Sequence, residues 1–296
     1  MAAPTSRDDF FNRVPLAVEA MFGGIAPTAP PVADTSLERE MPWVDAHVDP
    51  RTGTIRFRQD LMGRLDLFFR GALSHGTEVE LAWLSQVAAD IAVVLKMYTR
   101  ARMLESADGL LTPAFREYSA RPDAHTVVHG LESLVEQRLL GDFLRMLEVD
   151  QIDWRIRGVR PAEPLFVAQG AAVEGVLTAI AAIAGSTVED EIRGAVIAGG
   201  GPMAIWLRLG SLVTGAARDG MSFRRTADVL IGVRQIEAPL TAVRDQWLRG
   251  VPVRGGVQGG RTAGGMITSS LGVEATEQSG GRPIRHVRRD QGDLQI

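Results

Sequence analysis

Residues 77–104 read TEVELAWLSQVAADIAVVLKMYTRARML, and this stretch decides the fold. It opens with a capping box, in which a threonine and the glutamate three residues later satisfy backbone donors at the start of a helix. From Val87 to Met97 apolar residues face nearly every direction around the helix, a pattern typical of a helix buried on all sides. The stretch therefore predicts a long helix, ending near Leu104, at the centre of a helical core.

Helical spacing continues on both sides of this stretch. Asp123 caps a second long helix that ends near Leu147, and its apolar stripe consists of Val128, Leu131, Val135, Leu139, Phe143 and Met146. Further helices are predicted at Asp60–Leu73, after the Thr112–Pro113 cap, at Pro164–Gly185, from the Ser186–Glu189 capping box, and at Met203–Ala217, Arg225–Ile236 and Leu240–Arg249. The predicted fold class is mainly α, with a single helical core domain over residues 51–250.

Two short segments, Thr54–Arg58 and Ile152–Arg157, alternate apolar and polar residues, which is typical of half-buried strands. A lone strand is not stable, so we expect the two to pair as a small two-stranded β element. One face of that ribbon would carry Arg56, Arg58, Arg155 and Arg157. Guanidinium groups in such a row could hold phosphates or coat a nucleic acid. Asp60 and Asp153 lie beside them and would neutralise part of the charge.

The two ends of the chain differ in composition from the core. Residues 1–50 comprise a short helix, opened by a capping box at Ser6 and interrupted or restarted at Pro15, and a proline-rich tether. Residues 251–296 are rich in glycine and arginine and have few bulky residues to build a core. Both ends are therefore predicted to be extended arms, of which residues 1–24 and 251–296 contact neighbouring subunits and are dispensable for folding of residues 51–250. The predicted subunit contacts in the C-terminal arm are Arg282, Arg285, Arg288, Arg289, Ile284 and Leu271.

Composition excludes several classes of protein. The chain has 296 residues, 45% of them apolar, which is too many for a disordered protein. It contains no cysteine, so thiol catalysis, disulfides and thiolate metal sites are excluded. Lys96 is the only lysine among 32 basic residues, and the formal net charge of −4 is too small and of the wrong sign for strong non-specific attraction to nucleic acid.

Targeting signals are also weak. The first residues contain Asp8 and Asp9 and lack the apolar run of a secretory signal peptide. The best candidate for a membrane span, Leu165–Ala184, contains Gln169 and Glu174 and is interpreted as a buried helix. We therefore expect a cytoplasmic or particle-associated protein with no membrane partner.

Residues 195–204, AVIAGGGPMA, place Gly199, Gly201 and Ala204 at the spacing G-x-G-x-x-A. The string resembles the Rossmann fingerprint of flavin- and NAD(P)-binding proteins, which implies a pyrophosphate held at a helix N-terminus. That fingerprint requires a buried strand before the loop, whereas the Ser186–Glu189 capping box predicts a helix there. We expect a glycine-rich connection between helices and no cofactor, and keep an oxidoreductase as an alternative.

His125, His129, Glu132 and Glu136 share one face of the helix that begins at Asp123, at spacings from which a metal could be held. This face lies opposite the apolar stripe of the helix, so we predict that it is exposed to solvent and binds no metal. Asp45, His47 and Asp49 resemble the D-x-H-x-H metal-binding strand of amidohydrolases, but an aspartate replaces the second histidine and no strand–helix barrel follows. We expect no catalytic residue and no metal.

These observations favour a structural protein that is not an enzyme. The predicted function is a subunit of a homo-oligomeric particle or filament of the coat or capsid type, which uses its arms to contact copies of itself. The first alternative is a nucleic-acid-coating protein that uses the arginine ribbon, and the second is the oxidoreductase of the Gly199–Ala204 loop.

Overall fold

Helices make up most of the chain that the structure describes. A computed structural model describes residues 2–23, 32–33, 45–48, 54–71, 78–104, 122–159, 166–197 and 238–270. Its helices are α1 Arg7–Phe22, α2 Gln59–Phe69, α3 Glu78–Leu104, α4 Pro122–Met146, α5 Val167–Ala184, α6 Val188–Ile197, α7 238–248 and α8 Val253–Ser270. The mainly α fold class, with only a small β element, is confirmed.

The stretch 77–104 forms the central helix that its apolar pattern predicts. Helix α3 is buried along its middle, where Val87, Ile91 and Leu95 are shielded from solvent. Helices α1, α2, α4 and α6 all contact it, as do the short strands β2 and β3, Ala46–Val48 and Ile55–Phe57. Burial on every side explains why this helix has no polar face over most of its length.

Helix α1 packs into the core rather than extending as an arm. The Ser6 hydroxyl accepts the Asp9 backbone N–H, as its capping box predicts, and the helix then runs without a break through Pro15. Its buried face includes Phe10, whose ring lies 4.8 Å from that of Phe69 on α2. Residues 1–24 are predicted to be dispensable for folding, whereas this helix supplies large apolar side chains to the shared core, which favours a contribution to folding.

The β element pairs different segments from those expected. Strand β3 forms as predicted, but its antiparallel partner is β2, in the register His47 to Arg56. The two residues of β1, Val32–Ala33, lie parallel to β3 on its other side. The predicted strand at Ile152–Arg157 is wrong: Trp154–Arg157 is a 3₁₀ helix. The Asp153 side chain accepts the Arg155 N–H at 3.0 Å, and this local hydrogen bond closes a turn instead of a ladder.

Helix α8 also differs from the expectation. The glycine-rich composition of residues 251–296 predicts an arm without a core, yet Val253–Ser270 is helical and contacts α5 extensively. Residues 271–296 lie outside the described residues. The helices predicted after Thr112–Pro113, at Met203–Ala217 and at Arg225–Ile236 lie outside them too.

The capping box before α6 is shifted by one residue from the predicted Ser186–Glu189 pair. The Thr187 hydroxyl accepts the Asp190 N–H, and the Asp190 carboxylate accepts the Thr187 N–H, both at 3.1 Å. The helix still begins where the sequence predicts, because either register provides an oxygen acceptor followed three residues later by a carboxylate.

One apolar helix in the described part of the chain is long enough to cross a membrane. By length and composition it is Leu81–Met103 within α3, not the Leu165–Ala184 stretch. More than half of its most apolar window is buried inside the protein, and core helices of soluble proteins meet the same criterion.

Candidate functional site: a buried ionic seam and an exposed apolar surface

The polar face of α4 is buried against α3, contrary to the prediction that it faces solvent. Lys96 Nζ on α3 lies 2.9 Å from Glu136 Oε2 on α4, and one turn further along Arg100 pairs with Glu132. The Glu132 side chain is 2% exposed. The two basic residues are four apart on α3, and the two acidic residues are four apart on α4. Because the two helices run antiparallel, each basic side chain faces one acidic side chain.

We call this group of residues, Lys96, Arg100, His129, Glu132 and Glu136, the ionic seam. The Arg100 guanidinium donates to both carboxylate oxygens of Glu132, with Nη2 2.7 Å from Oε2. His129 Nδ1 lies 3.0 Å from the same oxygen and donates to it in the tautomer protonated at Nδ1. Burial alone would raise the pKa of Glu132, but the charge of Arg100 and the hydrogen bond from His129 outweigh it and lower the pKa to about 2.

The lowered pKa of Glu132 predicts a loss of stability in acid. A carboxylate whose folded pKa lies below its unfolded value stabilises the fold above the unfolded pKa, near 4.3, and this contribution disappears as the pH falls towards 2. We expect the free energy of unfolding to fall less steeply between pH 5 and pH 2 in Glu132→Gln than in the unaltered protein. Urea titrations of both proteins across that range measure the difference.

Glu132→Gln must be compared with the unaltered protein, because a second buried carboxylate changes the stability with pH in the opposite direction. Asp90 on α3 accepts two hydrogen bonds from Arg64 on α2, at 2.7 and 2.9 Å. Burial nevertheless raises the pKa of Asp90 against the pull of Arg64, so its contribution to stability grows as the pH falls. Equal slopes for the two proteins would contradict the role assigned to Glu132.

Aromatic rings connect the ionic seam to the C-terminal helices. The His129 ring stacks on Phe166 with a centroid distance of 3.9 Å, and Phe166 lies 5.4 Å from Trp247 on α7. Thr126 on α4 donates its hydroxyl hydrogen to the Leu240 carbonyl at 2.9 Å. The cluster therefore fixes the relative positions of four helices: α3, α4, α5 and α7.

The described residues contain no group of three or more His, Asp or Glu side chains placed to hold a metal. In the α4 face singled out from the sequence, Glu132 and Glu136 are each turned towards a basic residue of α3, and the side chain of His125 lies outside the described residues. Asp45 and His47 belong to the β2 region, and Asp49 is not described.

The arginine ribbon does not form. Arg56 lies on β3, but the 3₁₀ helix removes the second strand of the predicted ribbon. Most of the arginines are paired with nearby acids: Arg58 with Asp60, Arg155 with Asp153, and Arg157 with Asp150. These local pairs neutralise the charge that would have attracted phosphates.

The other predicted site residues lie in parts of the chain that are not described. Gly199, Gly201 and Ala204 fall within residues 198–237, and Leu271, Arg282, Ile284, Arg285, Arg288 and Arg289 fall within 271–296. The structure does show what precedes the glycine loop: α6 ends at Ile197, so a helix stands where the Rossmann fingerprint requires a strand.

The sequence analysis missed an exposed apolar surface beside α2 and α3. Trp154 is 77% exposed, while Ile156 in the same 3₁₀ helix is fully buried. Next to Trp154 is an open depression lined by Phe68, Gly71, Trp83, Leu84, Ile152, Asp153 and Arg155. Leu67, which precedes Phe68, and Leu81, which lies two residues before Trp83, are each about half exposed. We call this depression, with Trp154, Leu67 and Leu81, the Trp154 surface.

The described charged residues that lie close to the Trp154 surface in sequence form ion pairs. Three ion pairs accompany its apolar residues: Arg70 with Asp66, Arg155 with Asp153, and Arg157 with Asp150. Each pair joins residues close in sequence and contributes no net charge. Among the described residues, the surface therefore combines apolar side chains with charged side chains that are paired, a mixture found in many protein–protein interfaces.

The fold and these two features define a mainly α protein whose described residues include a buried ionic seam and an exposed aromatic surface at Trp154. No protein-family model matches the chain, and neither a curated protein nor a solved structure is significantly similar to it. Its function has to be inferred from its own residues.

Proposed function

We propose that the chain is a non-catalytic structural subunit that associates with copies of itself through the Trp154 surface. The observation that carries this proposal is the exposure of the Trp154 ring, which lies in sequence between Asp153 and Arg155 in the lining of a depression that also contains Phe68, Trp83, Leu84 and Ile152. An indole exposed to this degree is unfavourable in water, and tryptophan is enriched where proteins meet.

The balanced charges favour a second copy over the other partners. A surface that binds nucleic acid or an anionic membrane needs a net positive charge, because phosphate groups supply most of the attraction. Among the described residues close to this surface in sequence, the three ion pairs leave no such excess. A neutral surface does not repel an identical surface, which suits contact between two copies.

Shape supports the same partner. In a contact with two-fold symmetry the same patch serves both subunits, so a projecting group and a receiving depression must lie close together. Trp154 projects next to the depression that contains Trp83 and Ile152. In the proposed contact the indole of each subunit enters the depression of the other.

The C-terminal residues Leu271, Arg282, Ile284, Arg285, Arg288 and Arg289 stay predicted subunit contacts. Together with the two-fold contact, these residues would join dimers into a particle or filament. The protein would then be cytoplasmic or associated with the particle. This extension stays part of the proposal.

Trp154→Ala is the test of this function. We expect it to raise the dissociation constant for self-association by roughly 30-fold or more, corresponding to about 2 kcal/mol for a central aromatic residue. Sedimentation velocity over a concentration series measures the change. The melting temperature of the dissociated subunit should stay the same, because the ring is exposed.

Leu16→Ala is the matched control. Leu16 on α1 is also exposed but lies outside the Trp154 surface, and its truncation should leave association unchanged. A protein that is monomeric at all concentrations, or equal weakening by both substitutions, would contradict the proposal.

A further inference from the structure

The turn between α7 and α8 exposes a run of apolar residues. All six residues 247–252 are exposed to solvent, and four of them are apolar: Trp247, Leu248, Val251 and Pro252. Leu248 is 58% exposed, and the Trp247 ring is 41% exposed although it packs on one side against Phe166, 5.4 Å away. Six consecutive exposed residues are typical of a turn that projects from the surface and not of a groove. We call residues 247–252 the α7–α8 tip.

Arginines accompany the tip without acidic partners. Arg249 lies within it and Arg254 follows it, while Arg261 is seven residues, or two helical turns, further along the same face of α8. All three side chains are exposed, and none of them forms an ion pair with another described residue. Residues 246–270 contain these three arginines and no aspartate or glutamate, so they carry a net charge of +3. The N-terminus of α8, the positive end of the helix dipole, also lies at the tip.

The combination of exposed hydrocarbon and unpaired arginine fits one class of partner best. An anionic lipid surface offers charged headgroups to the arginines and acyl chains to the apolar residues. A nucleic acid also offers phosphates, but its bases stack on aromatic rings and offer little to an exposed leucine or valine. A bound peptide usually lies along a groove or a sheet edge, whereas the tip projects.

We propose that the α7–α8 tip binds the surface of an anionic membrane, with Leu248 and Val251 inserted between the lipids and Arg249 and Arg254 at the headgroups. Arg261 adds to the attraction from about 10 Å further along α8, which is within the range of electrostatic attraction at physiological salt. Tryptophan is enriched at the boundary between lipid and water, which suits the partly exposed ring of Trp247.

This contact requires no segment that crosses the membrane. The expectation of no membrane partner concerned spanning segments, whereas a protein can bind a lipid surface without crossing it. The tip shares no residue with the Trp154 surface, so the membrane contact does not depend on self-association.

Sedimentation of the full-length protein with lipid vesicles tests the contact. One set of vesicles is phosphatidylcholine alone, and in the other about a third of the lipid is phosphatidylserine. We expect binding to the anionic vesicles only, and weaker binding as salt is added, because salt screens the charge of the arginines. Absence of binding to the anionic vesicles at low salt would overturn the proposal.

Leu248→Ala tests the apolar part of the contact. We expect it to weaken binding to the anionic vesicles roughly fivefold or more, because less hydrocarbon enters the lipid. Leu16→Ala is the matched control, since Leu16 is 59% exposed but lies on α1, and it should leave binding unchanged. Equal weakening by the two substitutions would contradict insertion of the tip.

Arg254→Glu tests the charged part. We expect it to weaken binding roughly tenfold or more, because repulsion replaces attraction at the headgroups. Arg145→Glu makes the same change of charge at an exposed position of α4, more than four turns beyond His129, and should weaken binding far less. Equal effects would mean that net charge alone, and not the tip, attracts the protein to the vesicles.

A labelled single-stranded oligonucleotide, followed by fluorescence anisotropy, tests the competing partner. We expect it to bind far more weakly than the anionic vesicles do. Tight binding of the oligonucleotide that Arg254→Glu abolishes and Leu248→Ala leaves intact would assign the surface to nucleic acid and overturn the membrane contact.

Discussion

Arg100→Met is expected to destabilise the protein by about 3–5 kcal/mol, the usual effect of removing one partner of a buried ion pair. Glu132 would stay 2% exposed and would lose both guanidinium hydrogen bonds. The hydrogen bond from His129 alone would remain to offset its burial. Methionine fills a comparable volume, so lost packing contributes little to the expected loss. The free energy of unfolding, measured by urea titration, tests this expectation.

Arg145→Met is the matched control on α4. Arg145 pairs with Asp142 on the same helix, but its side chain is 63% exposed. Exposed pairs of this kind contribute less than about 1 kcal/mol, so the same substitution should cost far less here. Similar losses in the two variants would show that the buried pair contributes no more to stability than the exposed pair, and would contradict the role assigned to the ionic seam.

Gly260→Ala and Gly265→Ala are expected to change the stability of docked α8 in opposite directions. The new methyl group at residue 260 would overlap the Ala168 carbonyl, and separating the helices should cost about 2–3 kcal/mol. At residue 265 nothing lies within 4 Å of the new methyl group, so only the better helix propensity of alanine counts, a gain of about 0.8–1 kcal/mol. Amide hydrogen exchange within residues 253–270 measures both effects.

Gly260→Ala and Gly265→Ala are controls for each other, because both replace a glycine of α8 by alanine. Protection of α8 should decrease in the first variant and increase in the second, while that of α3 stays unchanged in both. A change of the same sign in both variants would mean that propensity, and not contact with α5, determines the stability of α8.

Patterns within a single helix were enough to predict much of the fold. The apolar run from Val87 to Met97 predicts a central helix, and it is one, because its apolar side chains are buried against several neighbouring elements. The two charged residues within the run, Asp90 and Lys96, are paired with residues of α2 and α4. The caps at Ser6 and Thr187 are equally local: an oxygen and a carboxylate three residues apart are sufficient to begin a helix.

What the sequence did not predict depends on contacts between elements. Alternation in Ile152–Arg157 suggests a strand, but the Asp153 side chain closes a turn, which buries Ile156 and exposes Trp154. An aspartate two residues before its hydrogen-bond donor was the available signal for that turn. The Trp154 surface was missed for the same reason, since a strand would have turned Trp154 and Ile156 to the same face.

The ionic seam and α8 required two helices to be considered together. The face of Glu132 and Glu136 looks solvent-exposed until Lys96 and Arg100, at the same spacing, are placed opposite it. The glycines at 256, 260 and 264 look like a flexible arm until they are matched to the small residues of α5. Neither pairing follows from composition, because each depends on which helices become neighbours.

The position of Lys96 gives the protein an unusual chemical property. It is the only side-chain primary amine in the chain, and it lies inside the fold, 2.9 Å from Glu136 and 16% exposed. Acylating reagents and lysine-specific proteases therefore have one side-chain target, which is shielded while α3 and α4 remain packed. Acylation at this residue, or cleavage after it into two fragments, reports directly on separation of the two helices, with no label attached beforehand.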